Sequence, residues 1–337
     1  MAASNAVIAG YRRTPFALAN KGRLAGVRPD DLLAHLLRGL IEATSIDPAE
    51  LEDIVVGCAF PEGEQGLNLA RMASLLAGVP REVAAVTVNR FCGSSMQAIH
   101  NAAGAIALGA GEAFICAGVE SMTRVPNGGF NPMPNPALAA KSAAYIGMGQ
   151  TAENVASQYG ISRAEQEALA VSSHAKAAKA QAAGHFTAEI VPIQTRDGLV
   201  DADGCIRPGT SAEGLAGLKP AFSADGTITA GTSSPLTDGA TAVLLTSEEF
   251  AQRHGLPVLA AIRSVAISGC APEVMGLGPI ESSRKALARA GLTAADMDVV
   301  ELNEAFASQA IACIRDLGIR DEALNIDGGA IAIGHPL

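Results

Sequence analysis

The sequence predicts an α/β protein made of two related halves with an inserted loop region between them, and three observations lead there. Strand-like apolar runs alternate with helical periodicity at both ends of the chain. A stretch in the first half reappears late in the chain at a constant offset of 246 residues. The segment GSSMQAIHNAAGAIALG, from Gly93 to Gly109, carries small and apolar residues around almost its whole helical circumference. A helix of that kind has to be buried on all sides, which implies layers above and below it.

From residue 5 to 60 the pattern reads strand, helix over 30–44, a helix start at Asp47-Pro48, then the apolar run Ile54-Val55-Val56. Late in the chain a strand-like run over 258–268 precedes a helix over 282–290, a Thr293 cap, and Val299-Val300 before Glu301. Superposing Ile46-Asp47-Pro48-Ala49-Glu50-Leu51 on Leu292-Thr293-Ala294-Ala295-Asp296-Met297 brings Ala59-Phe60 onto Ala305-Phe306 (305 − 59 = 306 − 60 = 246), the sign of an internal duplication. The region between differs in character: PNGGFNPMPNP is rich in turn residues, and helical stretches follow over 152–159 and 164–183. The expected division is therefore 1–120 as a first half, 121–240 as a loop domain that carries substrate contacts, and 241–337 as a second half. By the same offset the counterpart of the Cys92 helix would begin near residue 338, so the second half is expected to be incomplete, through truncation or degeneration.

Lys and Arg number 24 against 34 Asp and Glu, a formal charge of -10 with no basic run, which argues against nucleic acid as a partner. An anionic substrate would have to be met by individual cations. The six cysteines, at 58, 92, 116, 205, 270 and 313, form no CxxC pair and no cluster with zinc spacing, so no metal site and no disulfide framework are expected, and a reducing, cytoplasmic setting fits. The N-terminal stretch lacks the pattern of a secretory leader. Residues 102–119 are nearly all apolar or Gly, but Gly109, Gly111 and Glu112 split them into a buried helix and a buried strand rather than a membrane span.

In VNRFCGSSMQAIH a strand-like run ends at Cys92 and Gly93-Ser94-Ser95 opens a helix. Unpaired amides and the positive helix end at such a junction favour a thiolate, the form that attacks thioesters. Cys58, Cys116, Cys270 and Cys313 lie in apolar runs and read as small buried hydrophobes. Asn303-Glu304-Ala305-Phe306 follows an apolar run, and GGAIAIGHP ends the chain with His335; strand ends and Gly-rich turns are where polar groups converge in α/β folds. Asn-Glu there could equally cap a helix. His35, His100, His174, His185 and His254 sit in or beside helical segments and read as solvent or core residues.

Together, VNRFCGSSMQAIH, MGQTAENVA, TAGTSSPLTDGA and NEAFASQ with GGAIAIGHP resemble, in this order, the motifs of the thiolase family along essentially the whole chain. Ketosynthases share the ancestral fold but lack the Asn-Glu-Ala-Phe and Gly-His-Pro pair. The resemblance implies a five-layer α/β/α/β/α fold, a homodimer or homotetramer, and possible membership of a β-oxidation complex. It also implies ping-pong acyl transfer between acyl-CoA and CoA. CoA would be a cosubstrate, with no permanently bound cofactor. Cys92 would be the nucleophile, His335 its base, and Asn303 would hold a water for the oxyanion. Arg207 would lie near the CoA nucleotide and Ser234 near the pantetheine arm, with Met148 and Phe306 as further CoA contacts.

Two departures from the family pattern stand out. A second cysteine expected in a Gly-rich motif beyond Gly-His-Pro has no counterpart in this sequence, which predicts impaired turnover. Gly147 occupies a place where short-chain biosynthetic thiolases tend to carry His, and with CGSSMQAIH this favours a degradative 3-ketoacyl-CoA thiolase. A biosynthetic acetoacetyl-CoA thiolase and an inactive acyl-CoA-binding homologue remain the alternatives.

Overall fold

A computed structural model describes residues 5–337, so residues 1–4, the start of the stretch read above as leaderless, lie outside the described residues. The strands are β1 (Ala6–Arg13), β2 (Ala17–Leu18), β3 (Asp53–Gly57), β4 (Ala84–Val88), β5 (Ala113–Ser121), β6 (Ile193–Thr195), β7 (Gly198–Val200), β8 (Thr237–Ser247) and β9 (Ala260–Ala261). The helices are α1 (Pro29–Thr44), α2 (Leu69–Ala77), α3 (Ser94–Ala107), α4 (Pro136–Ala139), α5 (Met148–Tyr159), α6 (Arg163–Ala182), α7 (Ala212–Ala216), α8 (Glu248–His254), α9 (Gly278–Ala290), α10 (Ala307–Leu317) and α11 (Ala330–Ile333).

One mixed sheet of order β4-β3-β5-β8-β1-β9, with β2 also on β8, forms the frame. β3 runs parallel to both β4 and β5, whereas β8 is antiparallel to β5 and β1. Because side chains alternate across a strand, Ile54 and Val56 of β3 enter the core shared with α1 and α2, while Val55 joins Ala98, Ala102 and Ile106 of α3 on the opposite face. α1 forms where local chemistry asks for it: Pro29 starts it, Asp30 and Asp31 favour its positive end, and Leu32, Leu33, Leu36, Leu37 and Leu40 make one buried stripe. β5 is buried at all nine positions, as a doubly covered strand must be. β8 carries the chain across position 240 within this same sheet.

The repeat is visible in the backbone. α1 and α9 end at Thr44 and Ala290 (290 − 44 = 246), each closes on a left-handed residue, Ser45 or Gly291, and each is followed by a single 3-10 turn at Pro48–Glu50 or Ala294–Asp296. Three expectations are corrected. Of the strands expected over 258–268 and at 299–300, the structure forms only the two-residue β9 and a single parallel bridge between Val300 and Leu324. α3 is not buried all round: Met96 is 61% exposed, because a cavity rather than a packed layer separates this side of α3 from α9. Cys270 is exposed, whereas Cys58, Cys116 and Cys313 are buried.

Candidate active site

Two glycines let the N-terminus of α3 press onto the sheet. A Cβ on Gly57 of β3 would stand 2.4 Å from the Ser94 and Ser95 backbone, and one on Gly118 of β5 would stand 2.6 Å from the Ser95 side chain. Before α3 the chain makes a 3-10 turn, Phe91–Gly93, in which Phe91 takes a left-handed φ of 46°. That conformation is costly for a bulky residue. It is held from both sides: the Phe91 amide donates to Asn89 Oδ1 at 2.8 Å, and Ser94 Oγ donates to the Phe91 carbonyl at 2.6 Å while accepting the Arg90 amide at 2.8 Å. Cys92 is carried at the crest of this turn.

Cys92 is exposed in the cleft, and the protein packed around it disfavours a charge on its thiol. That desolvation pushes the thiol up to about 11, the nearby Glu120 charge adds to the rise, and its own backbone amide opposes it. The thiolate expected from the helix end is therefore not the resting form, since desolvation outweighs the amide. His335 reaches the same cleft from the loop after α11. Its amide donates to Thr237 Oγ1 at 3.1 Å, and burial lowers its imidazole to about 4, so the ring is neutral at neutral pH. Asn303 Nδ2 stands 3.2 Å from His335 Nε2, which makes the amide the donor when the ring proton is on Nδ1.

Two cavities meet at Cys92. The larger, of about 750 Å³, is lined by Cys92 and His335 together with Met148, Arg207, Ser234 and Phe306. The smaller, of about 430 Å³, is lined by Cys92, Asn303 and Phe306 and runs between α3 and α9. Arg207 is exposed, makes no ion pair among the described residues, and its amide donates to His174 Nδ1 at 3.1 Å. Ser234 donates to the Ala305 carbonyl through both its amide, at 3.0 Å, and its hydroxyl, at 3.1 Å. Met148 begins α5, and Phe306 precedes α10 with its ring edge-on to Phe222 at 5.8 Å. Every residue singled out from the sequence thus lines one or both cavities. Among the described residues there is no group of His, Cys, Asp and Glu that could hold a metal ion.

Sequence reasoning missed the polar groups behind this surface. Asn325 clamps Leu302 by accepting its amide at 2.8 Å and donating to its carbonyl at 2.9 Å, and donates to buried Glu304 at 2.9 Å. Glu304 also accepts Ser173 Oγ at 2.7 Å and the Ile331 amide at 3.2 Å, so the residues on both sides of Asn303 are tied to the segment that leads to His335. His174, read as an ordinary helical histidine, is buried beneath the Arg207 backbone. The one available signal was a charged residue inside an apolar run, as with Glu120 in AFICAGVES.

Residues 6–249 match the model of the thiolase N-terminal domain, and residues 256–337 match that of the thiolase C-terminal domain. The chain belongs to the thiolase family. It is 49% identical to the 3-ketoacyl-CoA thiolases of Aliivibrio fischeri (99% of this chain, 89% of that one) and Bacillus subtilis (98% and 88%). Its structure is similar to the crystal structure of human mitochondrial 3-ketoacyl-CoA thiolase, with a TM-score of 0.91 and 35% identity over 100% of this chain and 89% of that one. The expectation of an incomplete second half is not borne out, because the C-terminal thiolase model and the structural likeness both extend through it.

Proposed function

We propose that this thiolase-family chain is an acetyl-CoA C-acyltransferase that cleaves 3-ketoacyl-CoA with CoA to acetyl-CoA and a shortened acyl-CoA. The observation that carries the reading is Cys92 at the meeting point of two cavities, with His335 in the wall of one and Asn303, its hydrogen-bond neighbour, in the wall of the other. With the thiol near 11 and the imidazole near 4, the pair is neutral before substrate arrives, and proton transfer accompanies attack. Cys92 Sγ adds to the C3 ketone as its proton passes to His335. The oxyanion meets the Cys92 amide at one site and a water held by Asn303 and His335 at the other; one such donor is worth about 3 kcal/mol in other enzymes. Collapse breaks the C2–C3 bond, its electron pair leaves with acetyl-CoA as His335 gives C2 the proton it took from Cys92, and the acyl group stays on Sγ. The CoA thiol then attacks this thioester and gives its proton to His335, which passes it to Sγ as Cys92 departs as a thiol.

CoA is read as a cosubstrate in the larger cavity: Arg207 would meet its phosphates, Ser234 its pantetheine arm, and Met148 and Phe306 the apolar part of that arm. The names of the relatives and Gly147 support a degradative role in β-oxidation. A cytoplasmic homo-oligomer belongs to the same reading, supported by six free cysteines and by exposed apolar residues Leu67, Leu75 and Leu76 beside edge strand β4. Assays of thiolysis with acetoacetyl-CoA and with longer 3-ketoacyl-CoAs test the proposal. Cleavage of the longer substrates, lost in Cys92→Ser, is expected; a strict preference for acetoacetyl-CoA would move the chain to the biosynthetic class, and a folded chain that cleaves neither would be an acyl-CoA binder.

A further inference from the structure

Glu120 is a fully buried carboxylate near the end of a strand that is otherwise uncharged, and no step above uses it. It accepts the Ala59 amide at 2.7 Å, the Phe60 amide at 3.2 Å and Gln65 Nε2 at 2.5 Å. The pair Ala59–Phe60 reaches Phe91, the strained residue next to Cys92, by two routes. The Ala59 carbonyl accepts Asn89 Nδ2 at 2.8 Å, and Asn89 Oδ1 in turn accepts the Phe91 amide; the Phe60 ring packs edge-on against the Phe91 ring at 5.8 Å. We propose that Glu120 is a positioning residue for the nucleophile: through Ala59–Phe60 and Asn89 it holds Phe91 in its left-handed conformation and so fixes where Cys92 Sγ stands. Burying a carboxylate is expensive, and so is a left-handed aromatic residue. Both costs fall on one hydrogen-bonded path that ends at Cys92. Its two oxygens matter because two amides and a side-chain amide all point donors at them, and Gln keeps only one; among the described residues the titratable group in contact with Glu120 is Cys58, at 3.8 Å.

This inference rests on Cys92 being the acyl carrier, and the experiment separates the two. The rate of Cys92 acetylation by acetyl-CoA, followed by mass spectrometry at several concentrations, is compared for the native chain, Glu120→Gln, Asn89→Ala and the double variant. Each single variant is expected to lower the limiting rate about 30- to 100-fold, the loss typical of a displaced reacting group, with the half-saturating acetyl-CoA concentration unchanged. The double variant should be no slower than the slower single one, since both act through the same path. Losses that multiply, a changed half-saturation with an unchanged limiting rate, or native rates in both variants would overturn the inference. No acetylation of the native chain would overturn the reading of Cys92 and this inference with it. Asn89 is exposed, so Asn89→Ala alone still decides the matter by the split between rate and saturation if Glu120→Gln does not fold.

Discussion

At Cys92 two local influences oppose each other. The amide at the turn favours the thiolate, but desolvation of the cleft and the Glu120 charge disfavour it, and the result is a thiol near 11 beside an imidazole near 4. Alkylation of Cys92 by iodoacetamide should therefore keep rising with pH toward about 11; a midpoint near the ordinary thiol value of 9.0 would contradict this balance. The acylation rate should be level from neutral pH downward and fall only near pH 4, where protonation removes the base, so an acid limb at 6.5 would indicate an ordinary histidine. For Arg207, whose guanidinium has no ion partner among the described residues, Arg207→Ala should raise the CoA KM about 10-fold, the worth of a hydrogen bond to a charged group, with little change in kcat. An unchanged KM would remove Arg207 from the CoA site.

Among the elements, the decisive contact is α3 on β3. Gly57→Ala would drive a methyl group into the Ser94–Ser95 backbone, which cannot yield as a flexible side chain can. The expected cost is about 1–3 kcal/mol of stability from overpacking, and about 100-fold in acylation rate, because the helix start that carries Cys92 must move. Urea unfolding and the acylation rate check the two parts, and a native rate would show that Cys92 is positioned independently of this contact. The elements also show what could be read in advance. α1 is legible because its Pro29 start, acidic first turn and leucine stripe are local, and β5 because a continuous apolar run flanked by Gly can only be buried. The run around Val299–Val300 was not, since a strand needs partners and β propensity does not supply them. The composition of α3 predicted cover on every side, but composition does not say what stands opposite a helix.

For the whole molecule, buried ionisable groups set the response of stability to pH. His174 and His335 are lowered to about 4 from 6.5, chiefly by burial; the unfolded chain binds more protons between those values, so their contribution is full above 6.5 and is lost as pH falls toward 4. Glu120 and Glu301, raised by burial from 4.5 to about 7, and Glu304, raised likewise, act with the opposite sign: the native state holds the extra proton, and their contribution is lost as pH rises above 4.5. His100 is lowered as well, so lowered histidines and raised carboxylates oppose one another, and the urea midpoint should be nearly level between about pH 4.5 and 6.5. A steep fall across that window would mean that the histidines dominate. None of these shifts was legible in the sequence, for burial of a titratable group is a property of the assembled layers. Cys92, Asn303 and His335 were legible, because their motifs are contiguous in sequence; Glu304, Asn325 and Glu120 act through partners far along the chain.

Intact-protein mass spectrometry after brief exposure to acetyl-CoA, with Cys92→Ser as control, examines the proposal that acyl transfer passes through this one side chain. An acetyl adduct that maps to Cys92 and disappears in the control is the predicted result. A native chain that is folded by circular dichroism and takes up no acetyl group, or takes it up equally with Ser at position 92, would contradict it.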